Sequence, residues 1–510
     1  MARCKSFVFI SILLLASFSL ASCTLHRKGG GGGGGGSGAK VSFTVVADTV
    51  PANPSLLSFK VSMTSVVLTP SSGSAQTLTP ATPVVDLMRL QSDSAFLGTL
   101  TSVPSGTYTV TVAFSNPEIV FLNDTTSTIT AGTASCSSGS VCSFSLSASG
   151  TPVIPSFNFM ATSSGQQGIG IDFNLKNAIS LSSSGALSVN FNPSSPSPAV
   201  LSAFTLPRSN SNLSGSQLDL IEDFTGVVGL NGSAVTLTSP TRGTLTASAV
   251  SATNFDPDPS GTLCPRPTTT LSACVSSGQV ASMDVILDSG GTFSVQEIEP
   301  LLSSQQDLVE GTVFAIGGTT QFAIALTDKI QAATNSLIGG LKTGDLLTVN
   351  IPASTVRPFL VDTKGLAVPA ASLGLFQGQT DTSAIHPGQA IAIHVTAFTA
   401  ASGTTIASAT ADTVTLRWSR LIANTIGAAS PSQINVNNVP SYFLTTSSSI
   451  FTTQVFTGTS GADGVTNLEG IAAGGTPIPS PPPVGLRVLY LDNTSHSAPL
   501  PFMAAKIRQH

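Results

Sequence analysis

Six cysteines are the residues of this chain best suited to covalent chemistry, and their spacing divides them. Cys4 precedes an uncharged apolar run of sixteen residues, Phe7 to Ser22, and Cys23 follows it. The other four form two close pairs, Cys136/Cys142 and Cys264/Cys274. A thiolate can take an acyl donor, ligate a metal or join a second thiol. A closed metal site needs four ligands at close range, and no histidine stands near either pair. The pairs therefore predict disulfides Cys136–Cys142 and Cys264–Cys274, the nearest-neighbour choice among three connectivities. Loops this short stabilise by roughly 2–3 kcal/mol in the chain-entropy account.

Other chemistry-bearing residues are scattered. Of five histidines, His26 precedes the glycine run, His510 ends the chain, and His386, His394 and His496 lie in segments expected to fold. None has the His-Glu-x-x-His spacing of a metal site. His394 alternates with its isoleucine neighbours and is expected to face outward. Asp256 and Asp258, in "NFDPDPSG", resemble the start of a calcium loop, but the closing carboxylate is missing. No Gly-x-Ser-x-Gly elbow is present, and "GQQGIG" leads into a strand, which leaves dinucleotide binding unsupported. Trp418, the single tryptophan, stands between Arg417 and Arg420. Exposed, the three would make a platform for a sugar or peptide. Val414, Leu416 and Trp418 share one strand face, which favours a core position. The expected catalytic, cofactor and metal sites are accordingly none.

These residues are positioned by what surrounds them. Arg3 and Lys5 open the chain, the apolar run follows, and it is shorter than the ~20 residues a spanning helix needs. This is the pattern of a cleavable leader over residues 1–22. Its exit, Leu20-Ala21-Ser22-Cys23, resembles the lipobox of bacterial lipoproteins. That resemblance implies a lipid-modified Cys23, cleavage just before it, and durable attachment to a membrane by several acyl chains. Thr24, where an Asp would retain the protein at the inner membrane, favours the outer membrane; the face stays open. From Thr24 to Lys40, including eight consecutive glycines, nothing could bury a face, so residues 23–40 read as a tether. Its reach is about 20–25 Å.

The remainder is 41% hydrophobic but only 9% charged, with 47 Gly and 32 Pro. Ser and Thr supply the polar surface, and the pattern is all-β. The net charge of −5 and the lack of a basic patch exclude nucleic acid as a partner. Period-two alternation places Val41, Phe43 and Val45 inward, then Phe59, Val61 and Met63, then Tyr108, Val110 and Val112, then Ile169, Ile171 and Phe173, then Leu187 and Val189. The run Val84 to Gly98 is less regular and is expected to carry a short helical turn. "VSFTVVAD", "FKVSMTSVVLTP", "VVDLMRLQSDSAFLGTLTSVPSGTYTVTVAFSNPEI" and "GIDFNLKNAISLSSSGALSVNFNP" together resemble the lipoprotein domain of unknown function 4382. It implies a β-sandwich and no particular activity. Further on, "DFTGVVGLNGSAVTLTS" and "DLVEGTVFAIGGTTQFAIALTD" share Gly-x-Val, a glycine turn and an alternating strand. With the closing segments at Leu341, Ile385 and Val484, they resemble the barrel repeats called domain of unknown function 5666.

The expected organisation is a β-sandwich over 41–205 followed by barrel-like repeats over 206–303, 304–410 and, diverged, 411–510. The expected role is that of a lipid-anchored envelope protein that binds or scaffolds and does not catalyse. The alternative is an anchored hydrolase of envelope or environmental polymer, pairing His386 with Asp381 or Asp362. A third reading is a spacer within an outer-membrane machine.

Overall fold

Alternating strands bury one face each and must be stacked in pairs of sheets. The computed structural model describes residues 38–80, 84–162, 166–193, 199–430, 432–443, 450–457, 464–471, 483–491 and 502–510. Cys23, the leader, the tether up to Ser37, His26, His496 and most of the loop from Gly474 to Gly485 lie outside the described residues. The first sheet orders its strands Leu201–Leu206, Gln167–Asn174, Ala39–Asp48 and Ala95–Val103. The second runs Val141–Ser145, Glu118–Leu122, Ser55–Pro70, Gly106–Phe114 and Val153–Phe159. Phe43, Val45, Phe59, Val61, Val110, Ile169 and Phe173 fill the space between them. The expected turn is a single 3-10 turn, Arg89–Gln91.

Alternation in the strand Ala39–Asp48 predicted one buried face, yet Ser42, Thr44 and Val46 are buried as well. Their side is covered because Phe96 and Phe204, on the same sheet, pack into the core of the next module. Phe96 meets Phe293 edge-on at 5.3 Å. Ser42 bonds across the sheet to the Thr99 hydroxyl at 2.9 Å.

Next comes a closed barrel of strands Leu218–Asn231, Ala234–Ser239, Gly243–Phe255, Val280–Leu287 and Phe293–Leu302, in the ring order first, second, third, fifth, fourth. Its third and fifth strands run parallel. The same order recurs over Leu308–Ile316, Gln321–Ile330, Leu346–Asn350, Ala390–Thr399 and Ala407–Arg417, closed by parallel pairing of Leu346–Asn350 with Ala407–Arg417. It recurs again over Ser419–Ser430, Gln433–Asn437, Ile450–Val455, Pro483–Tyr490 and Phe502–Gln509, closed by parallel pairing of Ile450–Val455 with Phe502–Gln509. The chain is therefore all-β, a sandwich followed by tandem barrels. The blurred third motif still closes its ring in the same order. A ring leaves no open edge to recruit another chain.

The strand Ala407–Arg417 runs through the expected boundary at residue 411. The second ring needs all of it for closure, so the second barrel ends at Arg417 and the third begins at Ser419. Trp418 alone joins them and is fully buried. Residues 38–510 form one compact unit. Among the described residues no helix is long and apolar enough to cross a membrane. Cys136–Cys142 and Cys264–Cys274 are disulfides, the first clipping a hairpin and the second pinning the long loop between the third and fourth strands of barrel one.

The Gly-x-Val motif has a steric reason. A Cβ on Gly226 would lie 2.9 Å from the Thr238 nitrogen, and one on Gly311 would lie 2.6 Å from the Ala325 carbonyl oxygen. Both glycines sit in the first strand of a barrel, where it crosses close to the second. By contrast, a Cβ on Gly229 of the same strand meets nothing nearer than 3.9 Å. Gly226→Ala is expected to destabilise by roughly 1–3 kcal/mol through overpacking. Gly229→Ala should stay within about 0.5 kcal/mol of the parent. Urea denaturation midpoints of the two variants check this.

Candidate functional site

The scarcity of surface charge has a counterpart inside. Eighteen Asp, Glu, Lys and Arg side chains are buried among the described residues, against 20 basic and 25 acidic residues in the whole chain. Most converge where the sandwich and the barrels meet, and Asp223 is their centre. It lies on the first strand of barrel one, where the pairing shifts register between Ile221 and Phe224. The bulge turns it into the left-handed region, φ 49°, which Asp tolerates better than most residues. Its amide donates to Asp284 Oδ1 at 2.5 Å, and Ser282 donates its hydroxyl to Asp223 Oδ1 at 2.6 Å. Four cations reach the same carboxylate. Arg89 of the sandwich lies at 3.2 Å. Lys364, from the connection inside barrel two, lies at 3.4 Å. Arg417, from the last strand of that barrel, lies at 3.5 Å. Arg420, on the first strand of barrel three, pairs with its other oxygen. Burial raises the Asp223 carboxyl, but Lys364, Arg420, Arg417 and Arg89 together outweigh it and hold it well below the usual range.

A second knot adjoins the first. Asp219, Glu222 and Glu469 bring carboxylate oxygens within 4.8 Å of one another, a spacing that could suit a cation. Lys506 occupies it, 3.3 Å from Asp219 and 2.7 Å from Glu469, and paired with Glu222. Its two-along neighbour on the strand, Arg508, donates to the Asp93 carbonyl at 2.6 Å, the Ser94 hydroxyl at 2.8 Å and Glu469 at 2.8 Å. Gly485 admits the close approach: a Cβ there would collide with the Gln91 carbonyl oxygen. The last strand of barrel three is thereby fastened to the helical turn of the sandwich.

Arg417 and Arg420, weighed above as an exposed platform, are both in this interior, and Trp418 is a core residue. His386 is buried against Tyr490, ring centroids 6.1 Å apart. Each proposed partner carboxylate has a partner of its own. Asp362 pairs with Arg417, and Asp381 accepts from the Ser383 amide at 2.8 Å. The pair that does form is His394 Nδ1 with Asp412, at 2.7 Å; this is the ring's only hydrogen bond among the described residues. His394 is therefore partly covered and engaged, not turned freely outward. Asp258 accepts from Ser260 and Leu263 of its own loop, and Asp256 pairs with Arg266 at 2.6 Å.

The sequence reading missed Arg89, Asp223, Lys506 and Arg508. A signal existed: Lys506 and Arg508 interrupt the apolar run "FMAAKIRQH" two apart, and Arg487 interrupts "VGLRVLY". In a chain so poor in charge, a cation inside an apolar strand marks a buried ion pair. Beside the junction lies a cavity of about 340 Å³ between the sandwich, barrel one and the edge of barrel two, lined by Phe96, Phe224, Leu245, Phe293, Arg89 and Arg242. The junction is built to hold modules together. Arg89, Lys364, Arg417 and Arg420 at its centre are each paired with carboxylates. No protein-family model, curated protein or solved structure matches the chain.

Asp223→Asn would leave four buried cations short of their shared anion, and the expected loss is about 3–5 kcal/mol of stability. Chemical denaturation of the purified variant measures it. The pH dependence has two limbs. Burial raises Asp48 to about 6, burial and the nearby Asp48 raise Asp172 to about 7, and burial raises Glu297 to about 8 despite Lys364. These acids stabilise while protonated, and that contribution is complete below the ordinary carboxylate range, about 4, and is lost as pH climbs from there through 6 to 8. For Asp223 and Glu469, burial pushes upward but the surrounding cations prevail and depress them. Their contribution is present above the ordinary carboxylate range and fades in acid. Urea midpoints should therefore peak near pH 4 and be lower at both pH 2.5 and pH 8.5, and Asp172→Asn should flatten the limb above pH 4.

Proposed function

We propose that the chain is an exported lipoprotein of a bacterial envelope, outer membrane favoured, attached through acylated Cys23. On this reading it presents a rigid β frame for binding or scaffolding and performs no turnover. The observation that carries the reading is the convergence of all four modules on Asp223. A frame locked in this way keeps its surfaces in fixed relative positions, which suits a scaffold. The cations at its centre are held by carboxylates of neighbouring modules, which suits a structural role for them. The sequence supplies the anchor: a basic start, a short apolar run, Leu20-Ala21-Ser22-Cys23, and then the glycine tether. The tether would let a stiff body orient freely at about 20–25 Å from the bilayer. The likeness of the first module to a lipoprotein domain of unknown function fits the same reading.

The test is metabolic labelling of the full chain with an alkyne-bearing palmitate in a bacterial host, followed by membrane fractionation. The expected result is a labelled protein in the membrane fraction, with both label and membrane association lost in Cys23→Ser. An unlabelled wild-type protein, or one released from membranes by high salt alone, would contradict the proposal.

A further inference from the structure

The cavity beside the junction holds a cation, Arg242, none of whose hydrogen bonds goes to a carboxylate, although Asp328, Asp223 and Asp93 are near enough to act on its charge. The cavity's volume of about 340 Å³ falls within the range of small-molecule sites. Its walls come from three modules, so it exists only when they are assembled. Phe224, Leu245 and Phe293 of barrel one and Phe96 of the sandwich make it mostly apolar, and Val84 stands exposed at the rim.

Four ionisable side chains also line it, and three of them bond or pair with groups outside the cavity. The Asp86 carboxylate accepts from the Ser58 hydroxyl at 2.6 Å, the Phe59 amide at 2.9 Å and the Met88 amide at 3.0 Å. Lys60 pairs with Glu118 at 2.5 Å and donates to the Thr343 carbonyl at 3.1 Å. Arg89 is turned toward Asp93, Asp223 and Asp328. Arg242 differs. Its guanidinium lies over the Phe224 ring, 4.7 Å from the centroid. It donates to the Asp223 carbonyl at 2.5 Å and to the Glu222 carbonyl at 3.2 Å. A guanidinium has five N–H donors, so three have no partner among the described residues, and none of its bonds goes to a carboxylate. Burial, and then the like charge of Arg89 beside it, lower its pKa to about 10, which leaves it cationic at neutral pH. An anion in the cavity would satisfy the idle donors and relieve the repulsion between the two guanidiniums. A cationic ligand would meet that repulsion, and a wholly apolar one would bury the donors unsatisfied.

We propose that this cavity binds a small amphipathic anion, an aromatic carboxylate or sulfonate, with its charged head on Arg242 and its ring system against Phe224, Leu245 and Phe293. The site stands whether or not Cys23 is acylated, so it goes beyond the anchored-scaffold reading and can fail independently of it.

The test is isothermal titration of the purified full chain with naphthalene-2-sulfonate, with the smaller benzenesulfonate, and with the neutral isostere naphthalene-2-methanol. Saturable one-to-one binding of a sulfonate is expected, at least about tenfold tighter than the alcohol. Arg242→Gln should weaken the sulfonate about tenfold or more and change the alcohol by less than about twofold. Thr244→Trp places an indole in the cavity from an exposed strand position and should abolish binding of both, with the near-ultraviolet circular dichroism retained. If Arg242→Gln does not fold, the comparison of sulfonate with alcohol on the parent and on Thr244→Trp still decides. The proposal is overturned by equal affinity for alcohol and sulfonate, by unchanged sulfonate binding in a folded Arg242→Gln or Thr244→Trp, or by no saturable heat from either sulfonate up to about 5 mM.

Discussion

Asp223 carries a negative charge into a place where water cannot screen it, and the rest of the molecule is arranged to make that tolerable. A buried carboxylate costs several kcal/mol of desolvation, which attraction offsets only if the partners are close and complete. Here the partners are Arg89, Lys364, Arg417 and Arg420, drawn from every module except the one that holds Asp223 itself. No module can satisfy its own share alone. Removing any one would strand a charge, so the ionic junction favours assembly of the whole over any partial set. Such a network adds little net stability compared with an apolar core. Its consequence is specificity of arrangement: one relative placement of the modules matches every charge.

Connectivity supports the same end. The second and third barrels are joined by Trp418 alone, too short a link for independent motion. That residue's burial places Arg417 and Arg420 on either side of it at the junction. The last strand of barrel three returns to the sandwich through Arg508, which donates to the Asp93 carbonyl, and through His510, whose Nε2 donates to the Gln91 carbonyl at 3.0 Å. Arg508 and His510 are thereby fastened to the sandwich. Placing so many charges inside also explains how a chain with 9% charged residues presents a surface of Ser and Thr. Ring closure protects such a surface from edge-to-edge association.

The strands were legible in the sequence because burial alternates with a period of two whatever the partner. Phe43, Phe59, Val110, Ile171, Val235 and Phe322 are all fully or nearly fully buried, as alternation requires. The shared ring order of the barrels was foreshadowed by Gly226 and Gly311, whose missing side chains permit the close crossing of strands. The ionic junction was not legible, for a physical reason. Asp223 and Arg420 are separated by 197 residues, and nothing local says that a charged side chain has a buried partner that far away. A lone Arg in a strand reads as solvent-facing on average, which is why Arg417 and Arg420 suggested a surface platform. The cavity was hidden for the same reason, since its walls come from three modules. The cysteine pairs, by contrast, are local, and their spacing alone carried the connectivity.

The central claim is that the sandwich and the barrels are one cooperative body centred on Asp223. Differential scanning calorimetry of the full chain tests it most directly. A single transition is expected, with a calorimetric enthalpy equal to the van't Hoff enthalpy. Two or more resolved transitions, each with the enthalpy of a separate module, would show that the modules unfold independently and would contradict the account.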